Sequence, residues 1–110
     1  MIDLEILEEM FTGMRAKTNW NVDGPMLWGY FFTDSSAEKL ERAAAHLTPQ
    51  GYRLVGIHET DDGSTRVLHV ERIEAHSPQT LFARNEMLYD LANQLELNSY
   101  DGMDVGPVFS

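Results

Sequence analysis

The chain has no cysteine in its 110 residues. That excludes a disulfide framework, a cysteine nucleophile, iron–sulfur ligation and every cysteine-based zinc site. Basic residues are scarce: eight Lys and Arg stand against eighteen Asp and Glu, for a formal net charge of -10. A nucleic-acid binder needs a basic footprint to displace counterions from phosphates, so a chain this acidic repels RNA and DNA as a whole. Its field suits a basic protein surface, although the same charge also serves plain solubility. No stretch approaches the roughly 20 apolar residues of a membrane span. Asp3, Glu5, Glu8 and Glu9 stand where an export signal would carry Lys or Arg, so a cytoplasmic protein is expected. Neither a Walker loop, a G-x-G-x-x-G fingerprint nor a G-x-S-x-G elbow occurs, and no cofactor is expected.

Hydrophobic residues make up 43% of the chain, enough for one core in one domain spanning residues 1–110. Met1–Lys17 reads as an amphipathic helix, with Leu4, Leu7, Phe11 and Met14 on one stripe widened by Ile6 and Met10. Thr18–Pro25 is a polar connector ending in the turn signal Asp23-Gly24-Pro25. Met26–Thr33 is a strand apolar on both faces, Leu27, Gly29 and Phe31 on one, Trp28, Tyr30 and Phe32 on the other. Such a strand belongs in the middle of its sheet.

A helix follows, started by Ser35 and Glu38 at capping-box spacing and ended by Pro49 and Gly51. Its narrow apolar face is Ala37, Leu40, Ala44 and Leu47. Tyr52–Glu59 and Thr65–Glu74 read as a hairpin. A two-residue type I′ turn at Asp62-Gly63 would pair Ile57 with Leu68 and Val55 with Val70, putting these four on the helix-packed face. Leu54, His58, Val67, His69 and Glu71 fall on the other face. Ser77 and Pro78 open the second long helix, whose stripe is Leu81, Leu88, Leu91 and Leu95. Asn98–Val108 closes the chain as a short strand or extended tail.

Without the first helix, the order is β-α-β-β-α-β over residues 26–108. This predicts an α+β, ferredoxin-like sandwich with a four-stranded antiparallel sheet ordered 4-1-3-2 and both helices on one face. The extra N-terminal helix (residues 1–17) is then expected to cover part of the open face.

Catalytic signals are thin. His58 and His69 share a face with Glu71, a donor set that zinc accepts, but the register makes the two rings diagonal neighbours. Surface histidines and no metal are the expected reading. His69-Val70-Glu71 matches the H-x-E of zinc deaminases without the P-C-x-x-C that chemistry requires. Trp28, Tyr30 and Phe32 are spaced like an RNA-stacking platform, yet basic residues are missing and Asp34 follows. Packing against the N-terminal helix is preferred for them, with an exposed Trp28 or Tyr30 as interface anchor the alternative. Near the C-terminus, Tyr100-Asp101-Gly102-Met103-Asp104 is the most distinctive run. Its Asp-Gly permits a turn or bulge, and the Tyr100 hydroxyl can stay wet while the ring packs.

The run WGYFFTDSSAEKLERAAAHLTPQGYRLVG, the later helix LFARNEMLYDLANQLEL and the closing YDG together resemble the RraB family, small acidic bacterial regulators of ribonuclease E. Met103 stands where the family often has Trp after YDG. The resemblance implies a ferredoxin-like, non-enzymatic domain that binds ribonuclease E, lowers its endonucleolytic activity and alters what assembles on its scaffold. An acidic module or immunity-type inhibitor of another basic protein is the alternative. Partner contacts are expected at Trp28, Tyr30, Tyr100, Asp101 and Asp104, because the last strand should lie beside the first and cluster these groups.

Overall fold

The computed structural model describes residues 2–108. A first helix, α1 (Leu4–Lys17), buries Leu7, Phe11 and Met14, spaced four and three apart on one face. Strand β1 (Met26–Asp34) follows the connector, and α2 (Ala37–Leu47) comes next. The N-cap of α2 is Ser36 rather than the expected Ser35, its side chain accepting from the Lys39 N–H at 3.3 Å. Asp34 supplies the bend just before it. One of its oxygens accepts from the Ser36 N–H at 2.8 Å and the other from the Asn98 N–H at 3.0 Å, joining the start of α2 to the residue that leads into the last strand. A 3-10 turn at Thr48–Gln50 and Gly51, at φ +100°, end the helix.

β2 (Arg53–Glu59) and β3 (Arg66–Glu74) form the hairpin. Thr60 and Thr65 close it, through a 2.9 Å bond from the Thr60 N–H to the Thr65 carbonyl. Of the loop residues only Gly63 has positive φ (+72°), so the type I′ turn, which needs two, is not formed. The register survives because Ile57 still faces Leu68. Further along, a bulge between Leu54 and Gly56 inserts one residue. Leu54 therefore faces Val70, and Val55 is 49% exposed instead of joining the core.

Helix α3 (Pro78–Gln94) opens on a capping box in which Ser77 and Thr80 satisfy each other's backbone N–H. The closing strand β4 (Ser99–Gly106) completes an antiparallel sheet in the order β2-β3-β1-β4. The result is an α+β fold of one four-stranded sheet and three helices, with β1 in the interior as its double apolar pattern requires.

All three helices lie on the face that carries Trp28, Tyr30 and Phe32. Phe11 of α1 stacks on Trp28 with ring centroids 6.0 Å apart. Arg84 of α3 lies over the Tyr30 ring at 5.9 Å. The expectation that α1 would cover the opposite face is thus corrected. An amphipathic stripe fixes which side of a helix is buried, not which side of the sheet receives it. Met1, the expected start of that helix, lies outside the described residues.

Leu88 has no exposed surface and belongs to the same core as Leu40, Leu47, Leu68 and Leu81. Leu88→Ala should cost about 2–5 kcal/mol in denaturant melts. A loss below about 0.5 kcal/mol would place that helix face in solvent.

Candidate interaction surface

Alternation along β1 gives the sheet two unlike sides. Met26, Trp28, Tyr30 and Phe32 point to the helices and are buried. Leu27, Gly29, Phe31 and Thr33 point the other way, where no helix of the described residues packs. On that open side Leu27 faces Ile73, Gly29 faces Glu71, Phe31 faces His69 and Thr33 faces Val67. From β4, Gly106 lies opposite Leu27, Asp104 opposite Gly29 and Gly102 opposite Phe31.

Gly29 is the centre of this surface. A Cβ there would collide with Asp104 Oδ1 and His69 Nε2. Its lack of a side chain is what lets a carboxylate from one neighbouring strand and an imidazole from the other lean over the same point of β1. His69 also stacks on Phe31, with ring centroids 4.4 Å apart and planes within 23°. Partial burial pushes the His69 pKa down, the Asp104 charge opposes that shift, and His58 on the same face adds to it. Glu71, only 8% exposed, is paired by Arg53 from β2.

Two adjoining concavities open here. The larger, about 700 Å³, is walled by Leu27, Ile73, Pro107 and Val108, with Gly51, Arg53, Glu71 and Arg72 at its side, both arginines being held in ion pairs. The smaller, about 230 Å³, shares Leu27 and Glu71 and reaches Gly29, His69 and Asp104. Ile73 (58%) and Val108 (41%) are among the most exposed large apolar side chains of the described residues.

The expected partner contacts divide between the two sides. Trp28 and Tyr30 have no exposed surface, so the preferred packing reading holds for both, and Tyr100 is 3% exposed, so its hydroxyl is buried rather than wet as expected. β4 does lie beside β1, but Trp28 faces Val105 and Gly29 faces Asp104. The aromatic rings and the Asp104 carboxylate therefore point to opposite faces. The YDG run is resolved residue by residue. The Tyr100 hydroxyl, buried under α3, donates to Asn85 Oδ1 at 2.6 Å. Gly102 sits at φ +116°, a conformation side chains rarely adopt. Asp101 is the extra residue of a bulge opposite Phe31 and Phe32 and is exposed. Asp101 and Asp104 thus remain as exposed carboxylates on β4. The convergence on Gly29 was missed from the sequence. Its one signal was a residue without a side chain inside a strand of large ones.

A second polar cluster lies on the helix side. Glu74 accepts from the Tyr30 hydroxyl at 2.6 Å and from Arg84 at 2.7 Å, with His76 Nε2 at 3.2 Å. Burial alone would raise its pKa. Hydrogen bonds from His76 and Tyr30 and the Arg84 charge outweigh this and hold it down to about 2. The cluster clamps β1 and β3 to α3. Among the described residues no group of three His, Asp or Glu is arranged to hold a metal ion, and no helix is long and apolar enough to cross a membrane.

The charge pattern is lopsided. All six arginines, Arg15, Arg42, Arg53, Arg66, Arg72 and Arg84, are in internal ion pairs. Their partners are five of the eighteen carboxylates, leaving thirteen with no ion-pair partner among the described residues. The chain is therefore short of cations for any face that meets a partner.

The family model described as Regulator of ribonuclease activity B matches residues 5–105, nearly the whole chain. No curated protein matched it.

The Glu74 pKa in the folded state lies below its ordinary value of 4.5. Its stabilising contribution is therefore complete above about pH 5 and drains as pH falls toward 2. Glu74→Gln should cost about 3 kcal/mol at pH 7, because Arg84 is left half-buried without its carboxylate. It should also flatten the acid limb of a stability–pH profile. A variant whose acid limb matches the wild type would show that Glu74 does not carry that limb.

Proposed function

Because the chain belongs to the RraB family, regulators of ribonuclease activity, we propose that it regulates its ribonuclease by binding the enzyme and catalyses nothing itself. The single observation that carries this reading is the family match across residues 5–105. The enzyme we assign is ribonuclease E, whose endonucleolytic cleavage the bound regulator lowers and whose scaffold it alters. A regulator of RNA decay works where transcripts are, in the cytoplasm. The fold we assign is ferredoxin-like in one domain; the strand order β2-β3-β1-β4 with α2 and α3 as the connecting helices supports it.

Binding begins with long-range attraction. Twelve of the thirteen carboxylates without cationic partners lie at the surface, Asp34 alone being buried, and they surround the molecule with a negative field, which suits a basic surface on the enzyme and disfavours RNA. Asp101 and Asp104 are the contact carboxylates of β4. Trp28, Tyr30 and Tyr100 act from beneath, holding β1 and β4 in register rather than touching the partner.

Purified protein should co-purify with ribonuclease E and slow its cleavage of RNA, and should itself neither cut RNA nor bind it with sub-micromolar affinity at about 150 mM salt. Cleavage indifferent to the protein would overturn the assignment. Capture of a different basic protein with ribonuclease E left free would point to the immunity-type alternative. Replacing Asp101 and Asp104 together by Asn should slow association and weaken its salt dependence with the fold intact. If association ignores both salt and the double change, the acidity serves solubility alone.

A further inference from the structure

The open face differs from the rest of the surface. The helices carry exposed carboxylates on every solvent side, among them Glu5, Glu8, Glu9, Glu41 and Asp90. The three strands flanking Gly29 present Leu27, Phe31 and Ile73 with only two carboxylates between them, and Arg53 already pairs Glu71. Asp104 is left as the one without an arginine of its own, in the polar notch it shares with His69 and Glu71, and that notch adjoins the trough walled by Leu27, Ile73, Pro107 and Val108. An apolar trough beside an unpaired carboxylate, on an uncovered sheet, is complementary to a segment that alternates apolar and basic residues.

Resting on the regulator reading, we propose that the partner docks on this uncovered sheet face and that the occupant is an extended basic segment of the enzyme. One apolar side chain seats between Leu27, Ile73 and Val108, and the lysine or arginine two residues along reaches Asp104 above Gly29. The spacing fits. Leu27 and Gly29 are same-face neighbours on β1, and residues two apart on an extended segment lie roughly 6.5 Å apart on one side. The Phe31–His69 stack borders the Gly29 notch and offers the cation's stem an aromatic wall. A second copy of this chain is a poorer occupant, because it brings the same lone carboxylate and another net charge of -10.

The test is surface-binding kinetics of full-length ribonuclease E against wild type, Ile73→Asp, Asp104→Asn and Glu41→Gln, with size-exclusion runs of each. Ile73 is 58% exposed, so its replacement leaves the core untouched. Ile73→Asp should weaken binding by at least about tenfold, mainly through faster dissociation, and Asp104→Asn by about threefold. Glu41→Gln, on α2 of the other layer, should stay within about twofold of wild type. If wild type binds and Ile73→Asp binds equally well, the docking face is overturned while the regulator reading stands. A wild-type dimer that Ile73→Asp dissociates, with enzyme binding unchanged, also overturns it, since the face then holds a second copy. If wild type does not bind ribonuclease E, that assignment fails. The face is then read with a ten-residue peptide alternating leucine and arginine. Amide shifts confined to residues 27–31, 69–73 and 104–106 and abolished by Ile73→Asp support it, and shifts spread over α1 and α3 refute it.

Discussion

Three rings on alternate residues of β1 anchor the helix layer. Trp28, Tyr30 and Phe32 have no exposed surface. Phe11 ties α1 to the first of them, Arg84 ties α3 to the second, and Tyr100 meets Phe32 with ring centroids 5.2 Å apart. At the end of the same strand Asp34 holds the first turn of α2. A buried aromatic ring removes on the order of 200 Å² from water, about 5 kcal/mol each as an upper bound. Concentrating that burial on one side draws every helix there. The bare opposite face is the consequence of where these three residues point.

Much of this architecture was legible because local chemistry agreed with the fold. The double apolar pattern of Met26–Thr33 placed that strand inside the sheet, and Ser77-Pro78 marked the start of α3 to the residue. Hairpin register was right as far as Ile57 opposite Leu68, although the type I′ turn expected to set it is absent, and it fails at Val55, where Leu54 takes the place opposite Val70. What escaped were the bulges at Val55 and Asp101, which shift a face by one residue without changing composition. The side of the sheet that α1 takes escaped for a related reason, since its stripe carries no record of its destination.

At the surface site, adjacency was legible but direction was not. β4 lies beside β1, yet neighbouring residues on one strand alternate, so a ring at Trp28 and a carboxylate opposite Gly29 cannot meet. Asn85 and Glu74 were overlooked because each is buried against groups far away in sequence, Tyr100 and Tyr30. A polar residue in the apolar stripe of a helix, as Asn85, or at the end of a strand, as Glu74, reads as an exception until its partner is known. The pairing of every arginine with a carboxylate of the same chain is likewise a property of three-dimensional structure, and it leaves nearly all of the excess negative charge at the surface, the buried Asp34 excepted.

The bulges carry one more consequence. β2 and β4 are the outer strands, and each is interrupted, β2 at Val55 and β4 at Asp101. A sheet can lengthen only by hydrogen-bonding another strand along its edge, and a continuous flat edge is the template for fibres and tangled aggregates. Here both borders are bent where growth would start, and on β4 the residue pushed out carries a charge. A protein that leaves a whole sheet face bare gains from this: its stickiest plane is fenced by strands that resist pairing with a further strand.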